Sequence, residues 1–160
     1  MAIRDKTKRH TFLVDSPIGC LGVITDEGRL CAIDFVTASA KPVKPVQSFD
    51  VEVARQLQAY FQNPNFKFSL PLCDAASDFQ RRLRKQLIKT RPGKPETYGS
   101  MAQRLGSAPR AVGAALRANP VPLVVPCHRV VGANDTGGFS GKRQGRLPAI
   151  KRWLLNHEQG

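Results

Sequence analysis

Residues 119–129 read Asn-Pro-Val-Pro-Leu-Val-Val-Pro-Cys-His-Arg, and this stretch most limits what the chain can fold into. A helix arriving from the N-terminal side is broken at Asn119, before Pro120. Pro126 fixes the backbone ahead of Cys127 and biases Val125 toward an extended conformation. A thiol is therefore held in one place, next to a histidine and an arginine. A thiol becomes a useful nucleophile only when a cation or a base helps it ionise. The segment reads as a mount for a reactive cysteine.

In an extended segment neighbouring side chains point to opposite faces, so direct contact between Cys127 and His128 is awkward and a relay through water is expected. Cysteine proteases usually take their histidine from elsewhere in the chain, and His10 and His157 have no telling context. Alkyl or acyl transfer, proteolysis and redox sensing all remain open at this point.

Charge separates the chain into unlike halves. The net charge is +13. Residues 1–75 carry 9 Lys and Arg against 8 Asp and Glu, whereas residues 76–160 carry 16 against 4. Nearly all the excess lies with Cys127 and points to phosphate backbones as partner. With 41% hydrophobic residues the chain can bury a real core. No apolar run is long enough for a membrane helix, and the charged N-terminus lacks the apolar stretch of a secretory signal. A cytoplasmic protein is expected, with Cys20, Cys31, Cys73 and Cys127 as free thiols. Cys20 and Cys31 fall on what read as adjacent strands and could approach each other. No full zinc ligand set is visible, so no cofactor is expected.

The first half, 1–75, reads as a small α+β domain. Residues 10–35 give a three-stranded antiparallel meander. A loop follows at 38–49, then a helix from Asp50 that ends at Asn63-Pro64, then a strand at FKFSLPL. The second half, 76–160, reads as mainly helical. Ser77 caps one helix and Thr97 caps YGSMAQRL, which stops at Gly106. Ser107 caps PRAVGAALRAN, and a last helix covers LPAIKRWLLNHE. The two short helices around Gly106 form a helix-turn-helix signature. Its second helix is built from small residues (Ala111, Gly113, Ala114, Ala115, Ala118), with Arg110 and Arg117 at its ends. Such a helix suits tight helix packing or close entry into a nucleic-acid groove. The Gly-rich stretch after Cys127 reads as a loop over the thiol.

The stretch NPVPLVVPCHRVVG resembles the signature of the O6-alkylguanine-DNA alkyltransferases, also called methylated-DNA–protein-cysteine methyltransferases. The likeness runs almost continuously from Asp78 to Glu158 through TYG, PRAVGAALRANP, PCHRV, FSG and WLLNHE. The first 75 residues match more loosely, as the family's ribonuclease-H-like N-terminal domain. The resemblance implies a single-turnover DNA-repair reaction on double-stranded DNA by a protein that acts as a monomer. The alkyl group of O6-alkylguanine would pass to Cys127; O4-alkylthymine is left open. It implies His128 as base through a bridging water, with Glu158 orienting it. Asn119 would tie the helix-turn-helix to the active-site turn. Tyr98 would help flip the nucleotide and donate toward the guanine, and Arg110 would fill the gap in the stack. The helix bearing Ala111, Ala114 and Arg117 would enter the minor groove. The carbonyls of Cys127 and Val130 and the amide of Ser140 would read the base, with Pro122 and Phe139 lining the pocket.

Three features depart from that pattern or weaken it. Phe139 stands where a tyrosine is common, residues 142–148 look long and basic, and Glu158 lies near the chain end, where it could fray. A lesion-marking protein without transfer activity is disfavoured by the presence of Cys127. A sequence-reading transcription factor is disfavoured by the featureless second helix, and a cysteine hydrolase by the adjacency of Cys127 and His128.

Overall fold

A computed structural model describes residues 10–36, 41–134, 137 and 145–160. The chain divides into two compact units, Arg4–Cys73 and Asp74–Gly160. It is an α+β protein: among the described residues, the first unit has an antiparallel sheet and a helix, and the second has four α-helices and a two-stranded sheet.

In the first unit β1 (Phe12–Val14), β2 (Leu21–Asp26) and β3 (Arg29–Phe35) form the expected meander in the order β1-β2-β3. Phe12, Leu21, Val23, Ala32 and Ile33 are fully buried, with Val53, Leu57 and Tyr60 of α1 (Ser48–Gln62) also in the core. The helix starts two residues before Asp50 because Asp50 belongs to its first turn, where its buried carboxylate accepts from the Thr25 hydroxyl at 2.6 Å. It stops before Asn63, as Pro64 requires.

FKFSLPL does not make a strand ladder. A single parallel bridge links Leu72 to Leu30. At Ser69 the backbone is instead satisfied by a side chain: Gln56 Nε2 donates to its carbonyl and Gln56 Oε1 accepts from its amide. A buried glutamine with one donor and one acceptor mimics a neighbouring strand.

The cysteines differ from expectation. Cys31 and Cys73 form a disulfide, with Cα atoms 4.9 Å apart, because the Leu30–Leu72 bridge aligns the residues that follow each partner. Cys20 does not meet Cys31. The register sets Leu21 opposite Phe35 and Thr25 opposite Leu30, so the two cysteines sit at opposite ends of the hairpin. Cys20 and Cys127 are buried and lie outside that disulfide.

The second unit is built on α2 (Asp78–Ile88), α3 (Tyr98–Leu105), α4 (Pro109–Arg117) and α5 (Arg146–Gln159). Ser77 and Thr97 cap as expected, accepting from the amides of Gln80 and Ser100. Gly106 ends α3 in the left-handed region at φ 61°, the usual role of glycine after a helix. The cap of α4 is Ala108 rather than Ser107, and no side chain satisfies it; Pro109 at the first turn removes one amide that would need a partner. The buried face of α4 is Val112, Ala115 and Leu116. Two short parallel strands, β4 (Glu96–Thr97) and β5 (Val130–Val131), pair Glu96 with Val130 and Thr97 with Val131. That pairing brings Tyr98, at the start of α3, beside the segment that follows Cys127.

Candidate active site around Cys127

The proline-rich turn is closed by one side chain. Asn119 is 3% exposed. Its Nδ2 donates to the Val125 carbonyl at 3.0 Å, and its Oδ1 accepts from the Val121 amide at 3.2 Å. Within the loop so closed, Leu123 is buried at φ 75°, a left-handed conformation that a leucine rarely adopts. Pro126 has φ −79° and ψ 70°, and the Cys127 amide donates to the Val125 carbonyl at 2.8 Å. This is an inverse γ-turn, and proline supplies its φ at no cost. Pro122 is buried in the same turn.

Cys127–Arg129 is then a single 3₁₀ turn, not the extended segment expected from sequence. The Val130 amide closes this turn on the Cys127 carbonyl. Residues one apart in such a turn diverge by about a third of a turn, so His128 still does not share a direction with Cys127.

Glu158 does not fray. It is 7% exposed, and its carboxylate is bound from two sides. Nε2 of His128 lies 2.8 Å from Oε2, and Arg129 reaches both oxygens, from Nε at 3.0 Å and from Nη2 at 3.1 Å. The remaining guanidinium nitrogen donates to Thr90, to its carbonyl at 2.9 Å and its hydroxyl at 3.3 Å. The end of the chain is docked on the turn around Gly93. A Cβ on Gly93 would stand 3.0 Å from the Glu158 carbonyl, and its φ is 78°. Gln159 donates to the Gly93 carbonyl at 3.4 Å.

This network sets the histidine tautomer. A carboxylate that serves an arginine fork is ionised and can only accept. Nε2 of His128 therefore carries the proton, and in the neutral ring Nδ1 is the bare lone pair. His128 is fully buried, and Nδ1 is the one buried side-chain polar atom among the described residues without a protein partner. Burial drives the His128 pKa below its ordinary value, and Glu158 opposes that shift. Burial also pushes the Cys127 thiol up, against an opposing hydrogen bond from Asn119. Both effects favour the same resting pair: a neutral thiol and a neutral imidazole.

Around this core, Tyr98 is half-buried at the start of α3. A Cβ on Gly137 would stand 2.7 Å from the Tyr98 hydroxyl, so only glycine lets the loop approach it there. Lys151, on α5, is 1% exposed, donates to the Val130 carbonyl at 2.7 Å, and lies 5.6 Å over the Tyr98 ring. The Cys127 carbonyl accepts from the Val130 amide, and the Val130 carbonyl accepts from Lys151. On α4, Arg110, Ala111, Ala114 and Arg117 are exposed together, as is Ala118 at its C-cap. Phe139 and Ser140 lie outside the described residues, as does most of the Gly-rich stretch.

The fold joins Asn119, Cys127, His128, Glu158 and Tyr98 through one turn, one pair of short strands and the last helix. Sequence reasoning missed Arg129, Lys151 and Thr90. Arg129 was in plain view beside His128. Lys151 carried a signal in its spacing: Ile150, Leu154 and Glu158 share its helix face, so it belongs to the buried stripe. Among the described residues there is no cluster of three His, Cys, Asp or Glu able to hold a metal, and no helix is long and apolar enough to cross a membrane.

Comparison with known proteins agrees with this architecture. Residues 78–160 match the family model for the 6-O-methylguanine DNA methyltransferase DNA-binding domain, and residues 9–73 match the ribonuclease-like domain of the same family. A methylated-DNA–protein-cysteine methyltransferase of Metallosphaera sedula is 34% identical over 89% of this chain and 88% of its own length. One from Methanosarcina acetivorans is 35% identical over 91% and 96%. Among solved structures, the O6-methylguanine methyltransferase of Mycobacterium tuberculosis superimposes with a TM-score of 0.75 at 33% identity, over 94% of this chain and 92% of that one. The Mycobacterium tuberculosis OGT solved in complex with DNA gives the same TM-score, at 33% identity over 92% of this chain and 91% of that one.

Proposed function

Because this chain belongs to the 6-O-methylguanine DNA methyltransferase family, we propose that Cys127 accepts an alkyl group from O6-alkylguanine in duplex DNA, once per molecule. The observation that carries this reading is the buried series Cys127, His128, Glu158, in which His128 Nδ1 is the one buried side-chain nitrogen or oxygen without a protein partner among the described residues.

In the reaction the Cys127 sulfur attacks the alkyl carbon. An S–C bond forms, the C–O6 bond breaks, and its electron pair stays on the guanine, which takes up a proton. The thiol proton passes through a water to His128 Nδ1, and Glu158 balances the imidazolium that results. A neutral resting pair suits this order, because a thiol held neutral until the lesion arrives is protected from stray electrophiles. Tyr98 donates toward the departing guanine, where negative charge develops.

The base leaves the stack to reach a buried thiol, at a cost of a few kcal/mol, and Arg110 takes its place. The exposed alanine face of α4 lies in the minor groove, where small side chains let the helix backbone come close. Basic residues of 76–160 hold the phosphates without reading sequence. Pro122 lies in the buried turn before Cys127, where it can line the base pocket. O4-alkylthymine presents the same alkyl–oxygen bond and is the second lesion to try.

The decisive measurement is intact-protein mass after incubation with duplex carrying O6-methylguanine. A gain of about 14 Da, one methyl for one hydrogen, is expected on the Cys127 peptide. Cys127→Ala should bind the lesion and gain nothing; methyl transfer by that variant would end this reading.

A further inference from the structure

We propose that Lys151 is a positioning residue for this reaction: from α5 its buried ammonium holds the Val130 carbonyl at the end of the cysteine turn, braces the face of Tyr98, and sets a cation at the thiol–imidazole pair. The proposal rests on the reading of Cys127 as alkyl acceptor.

Packing alone does not call for an ammonium here. Ile150 and Leu154 on the same face are apolar and buried, and a methionine would fill the same course at no electrostatic cost. An ammonium taken from water is expensive unless its protons are used. Lys151 uses them on the site: 2.7 Å to the Val130 carbonyl, and 5.6 Å over the Tyr98 ring, within cation–π range. Val130 and Tyr98 are also brought together by the two-residue strands β4 and β5. Lys151 is therefore a cross-brace linking α5, the cysteine turn and α3.

Its charge acts in the direction the chemistry needs. The cation favours thiolate at Cys127 and disfavours protonation of His128. Among the described residues the other groups that act on this pair are Asn119, Arg129 and Glu158. Asn119 also favours the thiolate, Arg129 also disfavours the imidazolium, and Glu158 favours it. Without Lys151 the thiol would be harder to ionise, and the base would be lost to protonation at a higher pH.

The test uses the full chain with Lys151→Met and Lys151→Gln; glutamine keeps a donor for Val130 and loses the charge. The first readout needs no DNA: the rate at which iodoacetamide modifies the Cys127 peptide, followed against pH by mass spectrometry. Both variants should move this titration upward and lower reactivity at neutral pH by about tenfold for each unit moved. The second readout is single-turnover methyl transfer, whose acid limb should move to higher pH in both variants. Lys151→Gln should recover more of the melting temperature than Lys151→Met, without recovering either profile. Unchanged thiol titrations and acid limbs in both variants, with only a lower melting temperature, would overturn the proposal. So would full recovery of both profiles by glutamine. A wild-type protein that transfers no methyl would remove the proposed reaction, while the iodoacetamide titration would still decide the effect of Lys151 on the thiol.

Discussion

The two units bury polar groups in different ways. Among the described residues of Arg4–Cys73, the buried polar side chains are Asp50 and Gln56, each closed by local partners: Thr25 for one, Ser69 and Glu52 for the other. In Asp74–Gly160 they are Asn119, His128, Arg129, Lys151 and Glu158. These five converge on one turn, and one of their atoms, His128 Nδ1, has no protein partner. Burying charge is costly, and a domain that needs only stability has cheaper means in apolar side chains. The first unit uses polar burial to satisfy irregular backbone. The second concentrates it around the buried thiol proposed to accept the alkyl group.

That contrast breaks most readily at Glu158. Glu158→Gln keeps the shape but removes the charge that Arg129 and His128 share. A buried guanidinium left without its carboxylate costs about 3–5 kcal/mol. Transfer should fall by about 100-fold or more, as expected when a general base loses its orienting partner. Chemical denaturation and single-turnover kinetics would check both; near-normal kinetics would mean that the network is only structural.

The exposed face of α4 comes next. Ala114→Glu puts a carboxylate where the alanines are proposed to meet the minor groove. Duplex affinity should drop by about tenfold or more, while the melting temperature stays within about 1 °C, because surface changes away from packing are worth about 0.5 kcal/mol or less. Binding titrations at two salt concentrations would separate lost phosphate contacts from a steric block.

Gln56→Ala sharpens the comparison from the other side. It unpairs the Ser69 amide and carbonyl and should cost about 1–3 kcal/mol. Methyl transfer by the folded protein should be unchanged, as measured under conditions where the variant is fully native. A matching loss of rate would show that polar burial in the first unit also serves the chemistry.

The smallest effect is on pH. His128 has its pKa lowered from an ordinary value of 6.5, with burial as the main cause. The neutral ring is the competent base, so the rate should hold as pH falls through 6.5 and decline only below it. The same shift has a stability counterpart. A depressed folded pKa gives stability that is complete above the unfolded value and is lost as pH falls toward the folded one. Rate and denaturation profiles between neutral and acid pH would check both signs.

Local chemistry settled much of this protein in advance. Ser77, Thr97 and Gly106 begin and end their helices where short-range capping rules put them, because those rules involve only neighbouring residues. The broken helix at Asn119, the rigid entry to Cys127 and the charge of the second half are likewise properties of the linear chain. The strand expected at FKFSLPL was not local in that sense: whether an extended segment joins a ladder depends on what lies beside it, and Gln56 occupied that place. The pairing of Cys31 with Cys73 depended on register between distant segments.

The site was legible as a list and not as a network. Cys127 and His128 could be named from the motif, but the γ-turn at Pro126 and the 3₁₀ turn after it decided their relative direction. Glu158 looked exposed by its position in the chain, yet Arg129, Thr90 and the Gly93 turn bury it. The spacing of Lys151 puts it on the buried stripe of α5 with Ile150, Leu154 and Glu158 but names no partner for its ammonium. The packing of α5 against the cysteine turn supplied that partner, the Val130 carbonyl.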